Sequence, residues 1–153
     1  VVAHALTNQA PDVEHLPAML ARIEANTGAP PQHLTADAGY WSETNAQVCA
    51  ARGVTALIAT GRLKHGEVPP PVRGRPPKDL DAKGRMWRRL RTKAGRAVYA
   101  RRKAVVEPCF GQIKGRGFWR LLLRGQTKAE AEWGLIAMTH NLLKYYRVAW
   151  QPA

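Results

Sequence analysis

At 153 residues and 45% hydrophobic composition, the chain can bury the core of one domain and is not a disordered polymer. Its net charge of +13 points to a polyanionic partner. No stretch approaches the roughly 18 apolar residues of a membrane span, no secretory leader is visible, and Cys49 and Cys109 lack metal-ligand spacing, which together predict a reduced cytoplasmic protein.

The chain opens on Val1-Val2-Ala3-His4-Ala5-Leu6, which reads as a strand already under way and suggests a truncated or processed N-terminus. From Asp12 to Asn26, Leu16, Met19, Leu20 and Ile23 recur at helical spacing, with Pro17 in the first turn or shifting the start, and Gly28 as C-cap. Residues 33–37 suit a short buried strand ending at the Ala38-Gly39 turn. Ser42 caps a helix running to about Arg52, and residues 54–60 form a second buried strand. Residues 66–78, with five prolines and two glycines, predict an extended loop. Helical character resumes near Asp81. Thr127-Lys128-Ala129-Glu130 reads as a capping box for a last helix over 127–147, with Ala131, Leu135, Met138, Leu142 and Tyr145 as its apolar stripe. The pattern is α/β, with about three strands and a helical C-terminal region.

The positive charge is concentrated. Residues 73–124 hold 17 Lys and Arg against Asp79, Asp81 and Glu107, while the rest of the chain is near neutral. Within 99–120, Glu107 is the single acid among six Lys and Arg residues. A carboxylate binding a divalent cation, with surrounding cations binding a polyanion, would explain that pattern. The alternative is an ion pair with Lys103 or Lys114, worth about a few tenths of a kcal/mol. Helical spacing places Lys103, Glu107 and Lys114 on one face, and Pro108 either kinks that helix or begins it. Asp37, at the end of a buried strand, stands where ligands gather in open α/β sheets, although an Asx turn is an equally simple use of Asp before Gly39. Metal-assisted phosphoryl transfer needs carboxylates around cations roughly 4 Å apart. Asp37 and Glu107 supply two, and no third acid is convincing. Trp41, Tyr99 and the Phe118-Trp119 pair stand near cations and could stack on bases, with core packing as the alternative for Trp41 and Phe118. His140-Asn141 reads as a satisfied buried pair.

Asp37-Ala38-Gly39-Tyr40, the run Tyr99-Ala-Arg-Arg-Lys-Ala-Val-Val-Glu-Pro-Cys-Phe-Gly-Gln-Ile-Lys114 and the tail from Arg116 to Lys144 resemble the later catalytic segments of bacterial insertion-sequence transposases of the DDE type. The resemblance implies a ribonuclease-H-like fold, incomplete here, and Mg²⁺- or Mn²⁺-dependent cutting and rejoining of transposon-end DNA with two ions in the complete site. It makes Asp37 and Glu107 the second and third metal-binding acids. Lys114 and Tyr99, with Arg101 or Arg102, would then position the DNA backbone; apart from the resemblance, Lys103 on the Glu107 face and the aromatic Trp41 are further candidate DNA contacts. The resemblance further implies a basic DNA-facing region over 79–124, a homodimer, a nucleoid-associated location and a first acid upstream of Val1, so that little nicking is expected of residues 1–153 alone. A non-catalytic basic nucleic-acid-binding module is the alternative reading.

Overall fold

The computed structural model describes residues 1–61 and 70–150. They form two compact units, one of residues 11–105 and one of residues 1–10 with 106–153. The first part of the expected 66–78 loop lies outside the described residues; residues 70–78 contain neither helix nor strand.

The unit of residues 11–105 is built on a two-stranded parallel sheet. After a 3-10 turn, Asp12–Glu14, helix α1 spans His15–Thr27 with Pro17 in its first turn, where a missing N–H costs nothing. It ends on Gly28, whose φ of 78° and N–H bond to the Glu24 carbonyl make the expected left-handed cap. Strand β1 is His33–Ala36 and strand β2 is Thr55–Ile58, paired in register from His33–Thr55 to Ala36–Ile58. Parallel neighbours need a crossover, which helix α2, Glu43–Ala51, provides. The Ser42 hydroxyl accepts the Asn45 N–H and caps that helix as its sequence predicts.

Helix α3, Ala82–Arg91, starts on Asp81, whose carboxylate accepts the Gly84 N–H. It packs on β2 and meets two of that strand's polar groups: Arg89 donates to the Ala56 carbonyl at 3.2 Å, and the Ile58 N–H points at the Met86 sulfur at 3.5 Å. Leu16, Leu20, Cys49, Val54, Ala56, Ile58 and Met86 form the buried core. Asn45 is buried among them, and its side-chain amide donates to the Val13 and Tyr40 carbonyls at 2.8 and 2.9 Å. Those bonds tie the 3-10 turn before α1 to the turn that follows β1.

Helix α4, Lys93–Gly115, runs through Pro108 without ending there, and the division between the units falls within it. In the unit of residues 1–10 and 106–153, α4 is followed by helix α5, Gln126–Ala149. The capping box is not formed. Gly125, with φ 85°, is the N-cap, and α5 begins one residue before Thr127. The apolar stripe is also on the wrong face: Leu135, Met138, Leu142 and Tyr145 are exposed, while Ala129, Ile136, Ala137 and His140 are buried. Trp133 stacks on Phe110, ring centroids 5.9 Å apart.

Residues 1–6 are not a strand, so the described residues contain two strands rather than three. The segment is held by side chains instead. Asn141 accepts from the Val1 amino terminus and donates to the Val1 carbonyl, both at 2.6 Å, and Gln126 donates to the Leu6 carbonyl at 3.3 Å. His140 is buried as its sequence position suggests, but Asn141 is exposed and faces Val1. Among the described residues no helix is long and apolar enough to cross a membrane.

Candidate functional site

Asp37 follows β1 directly. Its backbone is extended and a 3-10 turn, Ala38–Tyr40, begins after it, yet the carboxylate makes no capping hydrogen bond to that turn. The Asx-turn alternative therefore does not describe this residue. Gly39 has a steric reason: a Cβ there would lie 2.7 Å from the Asp12 carboxylate. The side chain of Asp37 is 56% exposed and reaches Arg102 at 3.6 Å.

Arg102 and Tyr99 come from α4. The Tyr99 hydroxyl donates to the Ala36 carbonyl at 3.3 Å, fixing α4 against the end of β1 one residue before Asp37. Burial raises the Tyr99 pKa, with Arg102 opposing and Asp37 reinforcing the shift, so the phenol stays a donor at neutral pH. The Arg102 guanidinium stands 5.4 Å from the Tyr99 ring centre, and its buried Nε has no hydrogen-bond partner among the described residues. Arg102 and Lys103 line the cavity in front of Asp37, whereas Arg101 does not. Of the two arginines left open in the sequence, Arg102 is the one that lines this cavity.

That cavity, about 1010 Å³, is bounded by Asp37 after β1, by Thr60 and Gly61 after β2, and by side chains of α3 and α4. Among the described residues five cations line it: Lys83, Arg91, Arg96, Arg102 and Lys103. Of the two acids among its described lining residues, Asp81 already caps α3, and the other is Asp37. Trp87 also faces the cavity, 42% exposed, with the Arg91 guanidinium 3.5 Å from its ring centre. The sequence reading missed this pair. Its signal was Trp87 and Arg91 at i, i+4 in the helical stretch expected to resume near Asp81. Trp41, expected at the site or in the core, is half-buried and packs against the core cluster.

Glu107 and Lys114 belong to the other unit, on the continuation of α4, and both are exposed. Among the described residues Glu107 has no hydrogen-bond or ion-pair partner, Lys114 of its own unit included. An ion pair of Glu107 with Lys114 is therefore not formed. Also among the described residues, no group of three His, Cys, Asp or Glu side chains is placed to hold a metal ion. What Asp37 offers is one hard oxygen donor opening into a cationic cavity. That suits Mg²⁺, which is commonly held by one or two carboxylates and completed by phosphate oxygens and water.

A family model described as the transposase DDE domain matches residues 1–142. No curated protein and no solved structure matches the chain.

Proposed function

Because the chain belongs to the transposase DDE domain family, we propose that it acts on DNA as part of a catalytic domain that cuts and rejoins element ends. The observation that carries this reading is the placement of Asp37 at the end of β1, open to a cavity bordered by five cations and by Tyr99. The cations are suited to phosphates, and the carboxylate to a divalent ion among them. Asp37 and Glu107 each act as a metal-binding acid toward Mg²⁺ or Mn²⁺. Arg102, Lys103 and Lys114 hold the DNA backbone, Tyr99 fixes the helix that carries Arg102, and Arg101 and Trp41 add further DNA contacts. The β1-α2-β2 crossover, with an acid at the end of its first strand, supports a ribonuclease-H-like arrangement. Assembly as a dimer on paired DNA ends belongs to the same proposal.

One observation favours a different role. Arg102 already neutralises Asp37 in part, as it would in a basic module whose acids only orient side chains. Anisotropy of a labelled DNA duplex, titrated with the protein in Mn²⁺ and in chelator, separates the two. A metal-dependent site predicts tighter binding in Mn²⁺, with the gain lost in both Asp37→Asn and Glu107→Gln while binding in chelator persists. If both variants keep the full Mn²⁺ gain, or if wild type has none, the basic-module reading stands.

A further inference from the structure

Residues 116–124, Arg-Gly-Phe-Trp-Arg-Leu-Leu-Leu-Arg, join α4 to α5 within the unit of residues 1–10 and 106–153. Apolar side chains in a connection ordinarily turn inward. Here Trp119 is 74% exposed and Leu122 71%, with Phe118 and Leu123 exposed beside them in the chain. The segment is nonetheless held in place. The chain leaves α4 through Gly117 at φ 94°, and the Trp119 N–H returns to the Gly117 carbonyl at 3.1 Å. Glu132 of α5 then accepts the Leu122 N–H on both carboxylate oxygens, at 2.9 and 3.0 Å, and the Leu123 N–H at 2.8 Å. These are charge-assisted bonds, about twice as strong as neutral ones. A carboxylate latched onto two consecutive loop amides holds the loop with Phe118, Trp119, Leu122 and Leu123 outward.

The charges of the loop identify what it meets. Arg120 and Arg124 are exposed, and no acidic residue occurs from 108 to 129. Glu132 is turned onto the loop backbone rather than toward a partner. An apolar tip flanked by arginines fits a polyanion that also offers apolar faces, and stacked bases between phosphates are such a surface. A symmetric contact with a second copy would bring these arginines toward their own equivalents.

We propose that loop 116–124 is a wedge for duplex DNA: Arg120 and Arg124 hold phosphates, and Trp119 with Leu122 enters between base pairs and unstacks a step. This rests on the DNA reading above but uses none of the residues placed at the Asp37 cavity.

The test uses the full chain and duplexes carrying a 2-aminopurine, whose emission rises when the base unstacks. Wild type should raise the emission on binding. Trp119→Ala should abolish the rise and weaken binding by about tenfold or more, while Trp119→Phe keeps both. Arg120→Ala and Arg124→Ala should each lower the slope of log affinity against log salt by about 1, which Trp119→Ala should leave unchanged. The wedge is refuted if Trp119→Ala, folded by circular dichroism, binds and unstacks like wild type. It is equally refuted if anionic phosphatidylglycerol vesicles outcompete the duplex for this loop, or if the change turns a wild-type dimer into a monomer. Wild type that binds no duplex at all removes both the wedge and the DNA function, whereas wild-type binding indifferent to Trp119 removes the wedge alone.

Discussion

Arg102 meets Asp37 at 3.6 Å, with both side chains in contact with solvent. A screened pair of that length contributes at most about 1 kcal/mol to stability. If its purpose is to hold phosphate beside the carboxylate, its removal should be felt in binding instead. Arg102→Ala is therefore expected to leave the thermal midpoint within a few degrees of wild type while weakening duplex binding and lowering its salt slope by about 1. A large loss of stability with unchanged binding would make the pair structural. His140 makes the opposite kind of prediction. Its imidazole is buried between Cys109, 3.5 Å from Nε2, and Arg116, 3.4 Å from Nδ1. A guanidinium can only donate, so Nδ1 accepts and Nε2 carries the proton toward the Cys109 sulfur. Burial first, then Lys144, Arg116 and the Val1 ammonium, hold its pKa below the usual 6.5. The unfolded chain thus binds the extra proton more readily, and stability must fall as pH drops through 6.5 toward the folded value. Denaturant unfolding of wild type and His140→Gln between pH 7.5 and 5 should show a steeper loss for wild type; parallel curves would count against this protonation state. At this scale the placement of Asp37 directly after β1 was legible from sequence, because a strand end is a local feature. That Arg102 rather than Arg101 lines the cavity was not, since it depends on the rotation of α4 against β1, which the Tyr99 bond to Ala36 sets.

Helices showed how far periodicity reaches. Residues 131, 135, 138, 142 and 145 and residues 129, 133, 136, 137 and 140 both make apolar stripes along α5, and the second is the more covered one. Spacing identifies a helix but cannot choose between two apolar faces. Its start was misjudged for a similar reason: Gly125 takes a backbone angle suited to glycine and begins the helix before Thr127 can cap it. Val1 to Leu6 has the composition of a strand, but a strand exists only through its neighbour. Side chains of Asn141 and Gln126 take the backbone groups of Val1 and Leu6. The corner between α3 and α4 gives an element-scale test. Thr92 accepts the Gly95 N–H at 3.0 Å, and a Cβ on Gly95 would lie 1.9 Å from the Arg89 carbonyl oxygen. Gly95→Ala must shift α4 away from α3, and should cost about 1–3 kcal/mol in urea unfolding. Because Arg96, Tyr99, Arg102 and Lys103 follow on α4, it should also weaken DNA binding. Wild-type stability in that variant would mean the corner yields freely.

For the whole chain, the net charge of +13 states that a polyanion is attractive and leaves open what is done to it. In the proposed function, chemistry rests on the two carboxylates set among that charge, and a basic binding module would share every other feature. Mn²⁺ binding, followed by the electron paramagnetic resonance of the free ion, addresses this directly with duplex present and with Glu43→Gln as an exposed control on α2. Asp37→Asn and Glu107→Gln should each weaken Mn²⁺ binding by at least about tenfold, the size that losing even an outer-shell partner produces, with the control unchanged. Equal Mn²⁺ affinity in wild type and all three variants would contradict the assignment of Asp37 and Glu107 as metal-binding acids.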